Sequence, residues 1–302
     1  MRAPTVAAGL VRMSRPDHLL LVATVYLLGA AIAVAHGAAP EPGALLGGLC
    51  ALLPVAASVH YANEYADHET DALTVRTPFS GGSGAIPELG LAPAVARRAA
   101  WAAAGLGLVA TVAHLLAGLL GVVAAALLAG IALFGWQYSV GVALAWRGLG
   151  ELDNAALGGL ALPGYGYAVL AGTVTPEAVL ACVPLGAVVF ANLLDTTWPD
   201  READGTVGKA TLATRWSPPA LRRLYLLAVG VALGSPPLLA VVGVLPWPVA
   251  LASMAVAPLL AWGAAWYTRR RSPLPTVAAM VGTVVVQLAA WAWVAGAGPG
   301  GA

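Results

Sequence analysis

The chain has 302 residues, 15 of them Lys or Arg and 14 Asp or Glu, so only 10% carry a formal charge. A soluble domain has roughly 25% charged residues. With 60% apolar residues and a mean hydropathy of +0.82, this chain could not cover a water-facing surface with so few charges. The composition excludes a soluble enzyme and a disordered chain, and a net charge of +1 excludes nucleic acid as a partner.

The apolar runs predict an all-α, polytopic membrane protein with about nine transmembrane helices in a bundle. Each run is close to the roughly 20 residues that a helix needs to cross a bilayer. The runs are continuous rather than alternating, which argues against a β-barrel. The predicted spans cover residues 18–36, 43–63, 97–118, 120–139, 153–172, 177–196, 219–243, 247–267 and 275–296.

The basic residues predict how these spans are oriented. With nine spans, all Lys and Arg residues fall in the N-terminal segment, in the loops after spans two, four, six and eight, or within the first few residues of the spans that follow those loops. The positive-inside rule makes that side cytoplasmic. We therefore expect a multi-pass protein of the plasma or inner membrane with its N-terminus in the cytoplasm.

Two of the inner loops are much longer than the other connections. They cover residues 64–96 and 197–218 and follow spans two and six, so equivalent positions recur four spans apart. This spacing indicates an internal duplication. The sequence thus predicts one transmembrane domain over residues 1–302, made of two pseudo-repeats that cover about 1–145 and 146–302.

Acidic residues cluster where span two meets the first long loop. Asn63, Asp67 and Asp71 are four residues apart and share one face of a continuing helix. Oxygen ligands in such a stripe repel each other unless a cation lies between them. Side-chain oxygens suit Mg²⁺, which often bridges carboxylates to the phosphates of a substrate. The sequence therefore predicts a metal and phosphate site here.

A second acidic cluster lies at the equivalent position after span six. Asp200 and Asp204 are again four residues apart, and Asn192 extends the same register upstream. Pro199 interrupts a helix through this segment. Asp195 lies off the stripe on a regular helix and would join it only if Pro199 bends the chain. Two such clusters on one membrane face favour a functional site over solvated helix ends.

The first cluster leaves zinc as an alternative. His60, Glu64 and His68 are also four residues apart, on a different face of the same helix. Their side chains are zinc ligands in other proteins. Solvated or packing histidines are the simpler interpretation of this pattern.

The long loops also contain candidate contacts for an anion. Residues 77–84 form a glycine-rich segment next to Arg76, with Ser80 and Ser83 in it. Backbone N–H groups of such a segment can wrap a phosphate, although no G-K-[ST] follows as in a P-loop. Lys209, the only lysine in the sequence, follows the second cluster and could contact an anionic substrate or serve as a membrane anchor.

The two acidic motifs together resemble those of the UbiA superfamily of intramembrane prenyltransferases. The resemblance is carried by Asn63-x₃-Asp67-x₃-Asp71 and by Asp200-x₃-Asp204-x₃-Gly208-Lys209-x-Thr211-Leu212. Arg15-Pro16 ahead of span one is also similar. The segment 146–152 resembles the R-G-x-G-E segment of the menaquinone-pathway branch, which prenylates dihydroxynaphthoate, whereas residues 196–199 differ from that branch.

The resemblance implies Mg²⁺-dependent transfer of a prenyl chain from an isoprenoid diphosphate to a lipophilic, aromatic acceptor of the quinone-precursor class. It implies that two Mg²⁺ ions are held across the diphosphate by the motif side chains of Asn63, Asp67, Asp71, Asp200 and Asp204, with Asp195 as a further candidate ligand.

Other residues receive roles from the same resemblance. The diphosphate is expected to contact Arg76, Lys209, Ser80 and Ser83. The ring of Tyr138 is a candidate for stabilising the allylic cation, with an interface anchor as the alternative. The acceptor is expected to contact Asp153, Asn154 and Asn192.

Two other functions compete with transfer. A terpene cyclase on the same scaffold would use the same metal and diphosphate, but the cation would react with its own chain. A secondary transporter would couple membrane acids to ion flow, although its sites tend toward the middle of the bilayer. No obligate protein partner is expected for any of these functions.

Overall fold

A computed structural model describes residues 3–74, 76, 79 and 81–297 of the chain. Within these residues all regular elements are helical, and no β-strand occurs. The prediction of an all-α, polytopic membrane protein is confirmed.

Seven α-helices make up the described part of the first half. Pro stands in the first turn of α2, α3 and α6, where a helix has no internal partner for its N–H groups. The helices are α1 (Ala3–Ser14), α2 (Pro16–Ala35), α3 (Pro42–Ala66), α4 (His68–Leu73), α5 (Ala85–Leu89), α6 (Pro93–Leu116) and α7 (Val122–Ser139).

The second half begins with a 3₁₀ turn at Leu144–Arg147, and a π turn at Leu157–Ala161 joins its first two α-helices. Its α-helices are α8 (Gly150–Ala156), α9 (Leu162–Ala171), α10 (Pro176–Thr197), α11 (Arg201–Thr206), α12 (Leu212–Arg215), α13 (Pro218–Val241), α14 (Trp247–Met254), α15 (Ala257–Trp266) and α16 (Leu274–Ala297).

Eight segments of the described chain are long and apolar enough to cross a membrane, one fewer than the sequence predicts. The ninth predicted span, 153–172, corresponds to α8, the π turn and α9, which follow one another without a break. The π turn divides this stretch into two shorter α-helices, and Glu151 and Asp153 lie in the first turn of α8. The eight segments are Thr5–Ala35, Pro42–Ala66, Pro93–Leu116, Val122–Ser139, Pro176–Thr197, Pro218–Val241, Trp247–Trp266 and Leu274–Ala297.

The first of these segments begins earlier than predicted, because α1 continues into α2 through Arg15. This residue has a φ of 51°, in the left-handed region that a residue with a Cβ rarely adopts. Its guanidinium donates to Asn63 Oδ1 (3.1 Å) and to Glu64 Oε1 (2.5 Å). His60 Nδ1 donates to the carbonyl of Ser14 (2.8 Å). The junction of α1 and α2 is therefore held against α3 by the side chain of Arg15 itself and by the side chain of His60 on α3.

Helices α2 and α9 pack backbone against backbone. A methyl group built on Gly29 would lie 1.8 Å from the Pro163 carbonyl oxygen, and one on Gly166 would lie 2.0 Å from that of Tyr26. Small residues permit such close approach between membrane helices. These two contacts fix the position of α9 along α2.

Helices α8 and α10 meet in a similar way at the π turn. A methyl group built on Gly159 would lie 2.3 Å from Gly186 Cα. The contact brings Asp153, on α8, and Asn192, on α10, to the wall of one cavity.

Candidate active site

A cavity of about 690 Å³ lies between the helices, with a polar end and an apolar remainder. The polar end is formed where α3 and α10 end, together with the loops that follow them. Its apolar wall includes Val25, Leu52, Ile131, Leu185, Val189, Met280 and Val284.

The first acidic motif keeps its register although the helix bends within it. Helix α3 ends at Ala66 and α4 begins at His68, with Asp67 as the joint. The N–H of Asp67 still donates to the carbonyl of Asn63 (2.9 Å), and that of Asp71 to Asp67 (2.8 Å). All three motif residues line the cavity.

The Asn63 side chain organises the first motif. Its Nδ2 donates to Asp67 Oδ2 (2.8 Å) and to Ser139 Oγ on α7 (2.9 Å). Asp67 is 6% exposed, and its Oδ1 has no hydrogen-bond partner among the described residues. A buried carboxylate oxygen without a partner at a cavity wall is where a cation or a donor from a ligand would fit.

Asp71 completes the first motif beside the glycine-rich loop. A methyl group built on Gly82, whose φ is +62°, would lie 2.0 Å from Asp71 Oδ2. Burial, and then the charges of Asp67 and Glu64, raise the pKa of the Asp71 carboxyl to about 7. Negative charge is therefore concentrated here beyond what the protein itself neutralises.

The second motif lies across the cavity from the first. Asp200 and Asp204 both line the cavity, and the N–H of Asp204 donates to the carbonyl of Asp200 (2.8 Å). Burial raises the pKa of Asp204 to about 6, although the Lys209 ammonium group lowers it.

Lys209 joins the two motifs. Its Nζ lies 3.1 Å from Asp67 Oδ2 and 3.6 Å from Asp204 Oδ1, and its side chain is 12% exposed. Burial by itself lowers the pKa of Lys209, but the two carboxylates outweigh this effect and raise the pKa above its usual range. The ammonium group therefore occupies a position where positive charge is strongly favoured.

Asp195 is not brought into the cavity. Helix α10 runs unbroken to Thr197, so the bend expected at Pro199 comes too late to turn Asp195 toward the stripe. Its Oδ2 instead accepts a hydrogen bond from Thr276 Oγ1 on α16 (2.6 Å), and Tyr225 lies on the far side of that hydroxyl (2.9 Å).

The glycine-rich loop is tied to the first motif through Glu64. Ser83 uses both of its donors on this carboxylate, its N–H on Oε1 (2.8 Å) and its Oγ on Oε2 (2.5 Å). Ser83 thus shapes the loop and is not free to bind a phosphate. Arg76 lines the cavity and pairs with Glu88, which also pairs with Arg12 (2.8 Å). Ser80, the other serine proposed for this role, lies outside the described residues.

The zinc alternative finds no support in this geometry. His60 and His68 each place Nδ1 on a backbone carbonyl, and Glu64 is engaged by Arg15. In the part of the chain that the structure describes, no three His, Cys, Asp or Glu side chains are close enough to hold a metal by themselves.

The residues expected to contact the acceptor line the same cavity, and so does Tyr138, the candidate for stabilising the allylic cation. Asp153 and Asn154 do so from α8, Asn192 from α10 and Tyr138 from α7. Asp153 Oδ2 and Asn192 Oδ1 are buried and lack hydrogen-bond partners within the described chain.

Comparison with known proteins decides the family. Residues 21–291 match the model of the UbiA prenyltransferase family. The chain belongs to this family. The resemblance noted in the sequence is confirmed, and so is the expectation of a prenyltransferase.

Solved UbiA proteins share the fold of this chain. A UbiA homologue from Archaeoglobus fulgidus bound to DMAPP and Mg²⁺ has a TM-score of 0.68 and 14% identity, over 93% of this chain and 98% of its own. The same homologue bound to GPP and Mg²⁺ gives 0.67 and 15%, over 95% and 99%. Digeranylgeranylglyceryl phosphate synthase gives 0.67 and 15%, over 96% and 98%. No curated protein sequence matches the chain.

The UbiA site also contains residues to which sequence reasoning gave no role. Glu64, named above only as a candidate zinc ligand, is buried and forms an ion pair with the partly buried Arg15, and Thr70 lines the cavity with a buried hydroxyl. Arg15-Pro16, noted above as similar to UbiA proteins, could have pointed to the pair of Arg15 and Glu64. Glu88 carries no local signal, because its partners Arg12 and Arg76 are distant in sequence.

Proposed function

We propose that this prenyltransferase moves a prenyl chain from an isoprenoid diphosphate to a lipophilic aromatic acceptor of the quinone-precursor class and requires Mg²⁺. One observation carries the proposal: two acidic motifs face each other through Lys209 at the polar end of an apolar cavity. Carboxylates alone would repel a diphosphate, so this arrangement suits one only when cations bridge the two. The homologues solved with DMAPP or GPP and Mg²⁺ support the same assignment.

The motif side chains would hold the metal. When bound, Mg²⁺ neutralises the diphosphate and stabilises the charge that develops on it as the leaving group. The unpartnered Oδ1 of Asp67 and the raised pKa values of Asp71 and Asp204 fit a cation site. Asp195 is left out of the set, because its carboxylate faces Thr276. The set is Asn63, Asp67, Asp71, Asp200 and Asp204.

Positive side chains would bind the diphosphate beside the metal. Lys209 already lies between the motifs, and Arg76 lines the cavity next to the glycine-rich loop. Arg76 would leave Glu88 and form charge-assisted hydrogen bonds with phosphate oxygens, which are stronger than neutral ones.

The apolar wall would protect the reacting carbon. Breaking the C–O bond leaves an allylic cation that water would trap, and apolar side chains exclude water from its path. Tyr138 lines the cavity, and we assign its ring face to stabilising this cation.

The acceptor would lie against Asp153, Asn154 and Asn192. An electron-rich ring carbon attacks the cation, and the same carbon then loses its proton. Asp153 Oδ2 has no partner within the described chain, so we assign it the proton, while the two Asn side chains orient the ring.

The test is transfer by the purified protein in detergent. Labelled geranyl or geranylgeranyl diphosphate is incubated with dihydroxynaphthoate, hydroxybenzoate, a homogentisate-like ring or a lipid alcohol. We expect one aromatic acceptor to be prenylated in a reaction that EDTA stops. Asp67→Asn should lower the rate about 100-fold, since it removes charge at the cation site.

Glu69→Gln is the matched control, because it removes the same charge from an exposed position in α4. It should retain the wild-type rate. Formation of a cyclic hydrocarbon in the absence of acceptor would show that the protein is a cyclase and not a transferase. Full activity of Asp67→Asn would reject the site.

A further inference from the structure

The loop that carries Lys209 is held from behind by the segment between α7 and α8. The N–H of Ala210 donates to the carbonyl of Trp146 (3.2 Å). Arg215 Nη1 donates to the carbonyl of Arg147 (3.0 Å). Two backbone carbonyls of the 3₁₀ turn thus receive donors from either end of the loop.

A third tie is made by a buried carboxylate. The N–H of Leu212 donates to Glu151 Oε1 (3.0 Å). Glu151 is 2% exposed, and its Oε2 has no hydrogen-bond partner among the residues that the structure describes. No ion pair to Glu151 is found there. The Leu212 N–H, together with the backbone of Glu151 itself, hydrogen-bonds this buried carboxyl group.

The hydrogen bond between Leu212 and Glu151 also affects the position of Lys209, because both Leu212 and Lys209 belong to the same hydrogen-bonded loop. The N–H of Lys209 donates to the carbonyl of Asp204 (2.8 Å), and Thr214 Oγ1 donates to the carbonyl of Lys209 (3.2 Å). The backbone from Asp204 to Thr214 is therefore one hydrogen-bonded unit, and what holds Leu212 also holds Lys209.

We infer that Glu151 is a positioning residue: through the Leu212 N–H it fixes the loop that places the Lys209 ammonium between the two motifs. Glu151 is not among the residues that line the cavity, so it acts behind the site and not on the substrate. Its consequence for diphosphate binding rests on the proposed function; its effect on Lys209 does not.

The sequence supplies a direct readout, because Lys209 is the only lysine. An amine-acylating reagent, an N-hydroxysuccinimide ester, is applied to the full-length protein in detergent. The modified Lys209 peptide is then quantified by mass spectrometry, which separates it from the N-terminal amine. In the wild type the ion-paired, largely buried ammonium group should react slowly.

Loss of the carboxylate should release the loop. In Glu151→Ala we expect acylation to be about tenfold faster, because a loop that opens locally exposes the Lys209 amine to the reagent. In Glu151→Gln the rate should stay within about twofold of wild type, since the amide oxygen still accepts from Leu212.

Gln287→Leu is the matched control. It removes another buried hydrogen bond between helices, from Gln287 Nε2 to Ser253 Oγ (2.9 Å), at a distance from this loop. Its acylation rate should equal that of wild type. A wild-type rate in a folded Glu151→Ala protein overturns the inference, and so does a Gln variant that reacts like Ala.

A second variant covers the case in which Glu151→Ala fails to fold. Arg215→Ala removes the exposed tie to the Arg147 carbonyl and should raise the acylation rate by a smaller factor. An unchanged rate in that variant would count against a loop held from this side.

Protection by an unreactive prenyl thiolodiphosphate with Mg²⁺ separates the two proposals. Protection of Lys209 in the wild type and its weakening in Glu151→Ala support both. If the analogue protects neither protein while Glu151→Ala still reacts faster, the positioning role stands and the diphosphate contact fails.

Discussion

The carboxylate of Asp71 lies against Gly82, where there is no room for a Cβ atom. Because a Cβ on Gly82 would lie 2.0 Å from Asp71 Oδ2, Gly82→Ala must push the carboxylate out of place. We expect kcat/KM for the prenyl diphosphate to fall about 100-fold, as a 1 Å misplacement in an active site can cause. Initial rates with labelled diphosphate measure the loss.

Gly90→Ala separates this clash from backbone strain. Gly90 has nearly the same φ, +61°, and no atom within 4 Å of the added methyl group. It therefore incurs the same left-handed penalty of about 1–2 kcal/mol without touching the site. Equal losses of activity in the two variants would show that strain, and not displacement of Asp71, is responsible.

At the scale of single residues, the sequence predicted which acidic side chains lie together but not all of the hydrogen bonds around them. Four-residue spacing identified Asp67, Asp71 and Asp204 as residues of one cavity, because the backbone register survives the bend at Asp67. Spacing could not show that both donors of Ser83 are used by Glu64. Such contacts join distant parts of the chain and depend on how the loop folds back.

The contact between α8 and α10 decides how the helices that carry Asp153 and Asn192 approach. Gly159→Ala should lower the free energy of unfolding by about 1–3 kcal/mol, since the added methyl group meets the backbone of Gly186 at 2.3 Å. Thermal unfolding in detergent, followed by circular dichroism, measures the shift.

The neighbouring Gly158→Ala is the control for that experiment. Its methyl group would have ordinary contacts, 3.6 Å to Asn154 Oδ1 and 3.8 Å to Val189 Cγ1. Its stability should change by less than about 1 kcal/mol, the helix-propensity difference between the two residues. If Gly159→Ala were as stable as Gly158→Ala, α8 and α10 would be able to move apart without a loss in the free energy of unfolding.

Element boundaries were predictable where long apolar runs dominate, but a change of helix type within such a run was not. Helices α3, α10 and α16 lie close to the predicted spans. The span predicted at 153–172 lies within the continuous helical stretch formed by α8, the π turn and α9, and only the π turn was not predicted. Apolar periodicity cannot reveal such a turn, because every residue from Leu157 to Ala161 is apolar or glycine, as in the helices on either side.

The distribution of basic residues makes a prediction for the whole molecule: the motifs face the cytoplasm. In a background with Cys50→Ser, Ala39→Cys and Ser217→Cys place thiols in exposed segments after α2 and before α13. In intact cells a membrane-impermeant maleimide should label the first variant only, because the loops with Lys and Arg stay inside. The Ser217→Cys protein should be labelled after permeabilisation.

Labelling of Ser217→Cys in intact cells would show that the protein has the opposite orientation in the membrane, and the fold would be unaffected by that result.

The two pseudo-repeats, about 1–145 and 146–302, stay a prediction at this scale. What the structure adds is that Lys209 of the second half is paired with Asp67 of the first.

The backbone contacts between α2 and α9 have a consequence for how substrate range can change. Gly29 and Gly166 each face a carbonyl oxygen with no room for a methyl group, so neither position accepts a larger residue unless α2 and α9 move apart. The cavity wall at Met280 and Val284, on α16, is built of side chains that can be exchanged one at a time. Natural variation and engineering toward longer or shorter isoprenoids should therefore accumulate on α16, while α9 tolerates little change.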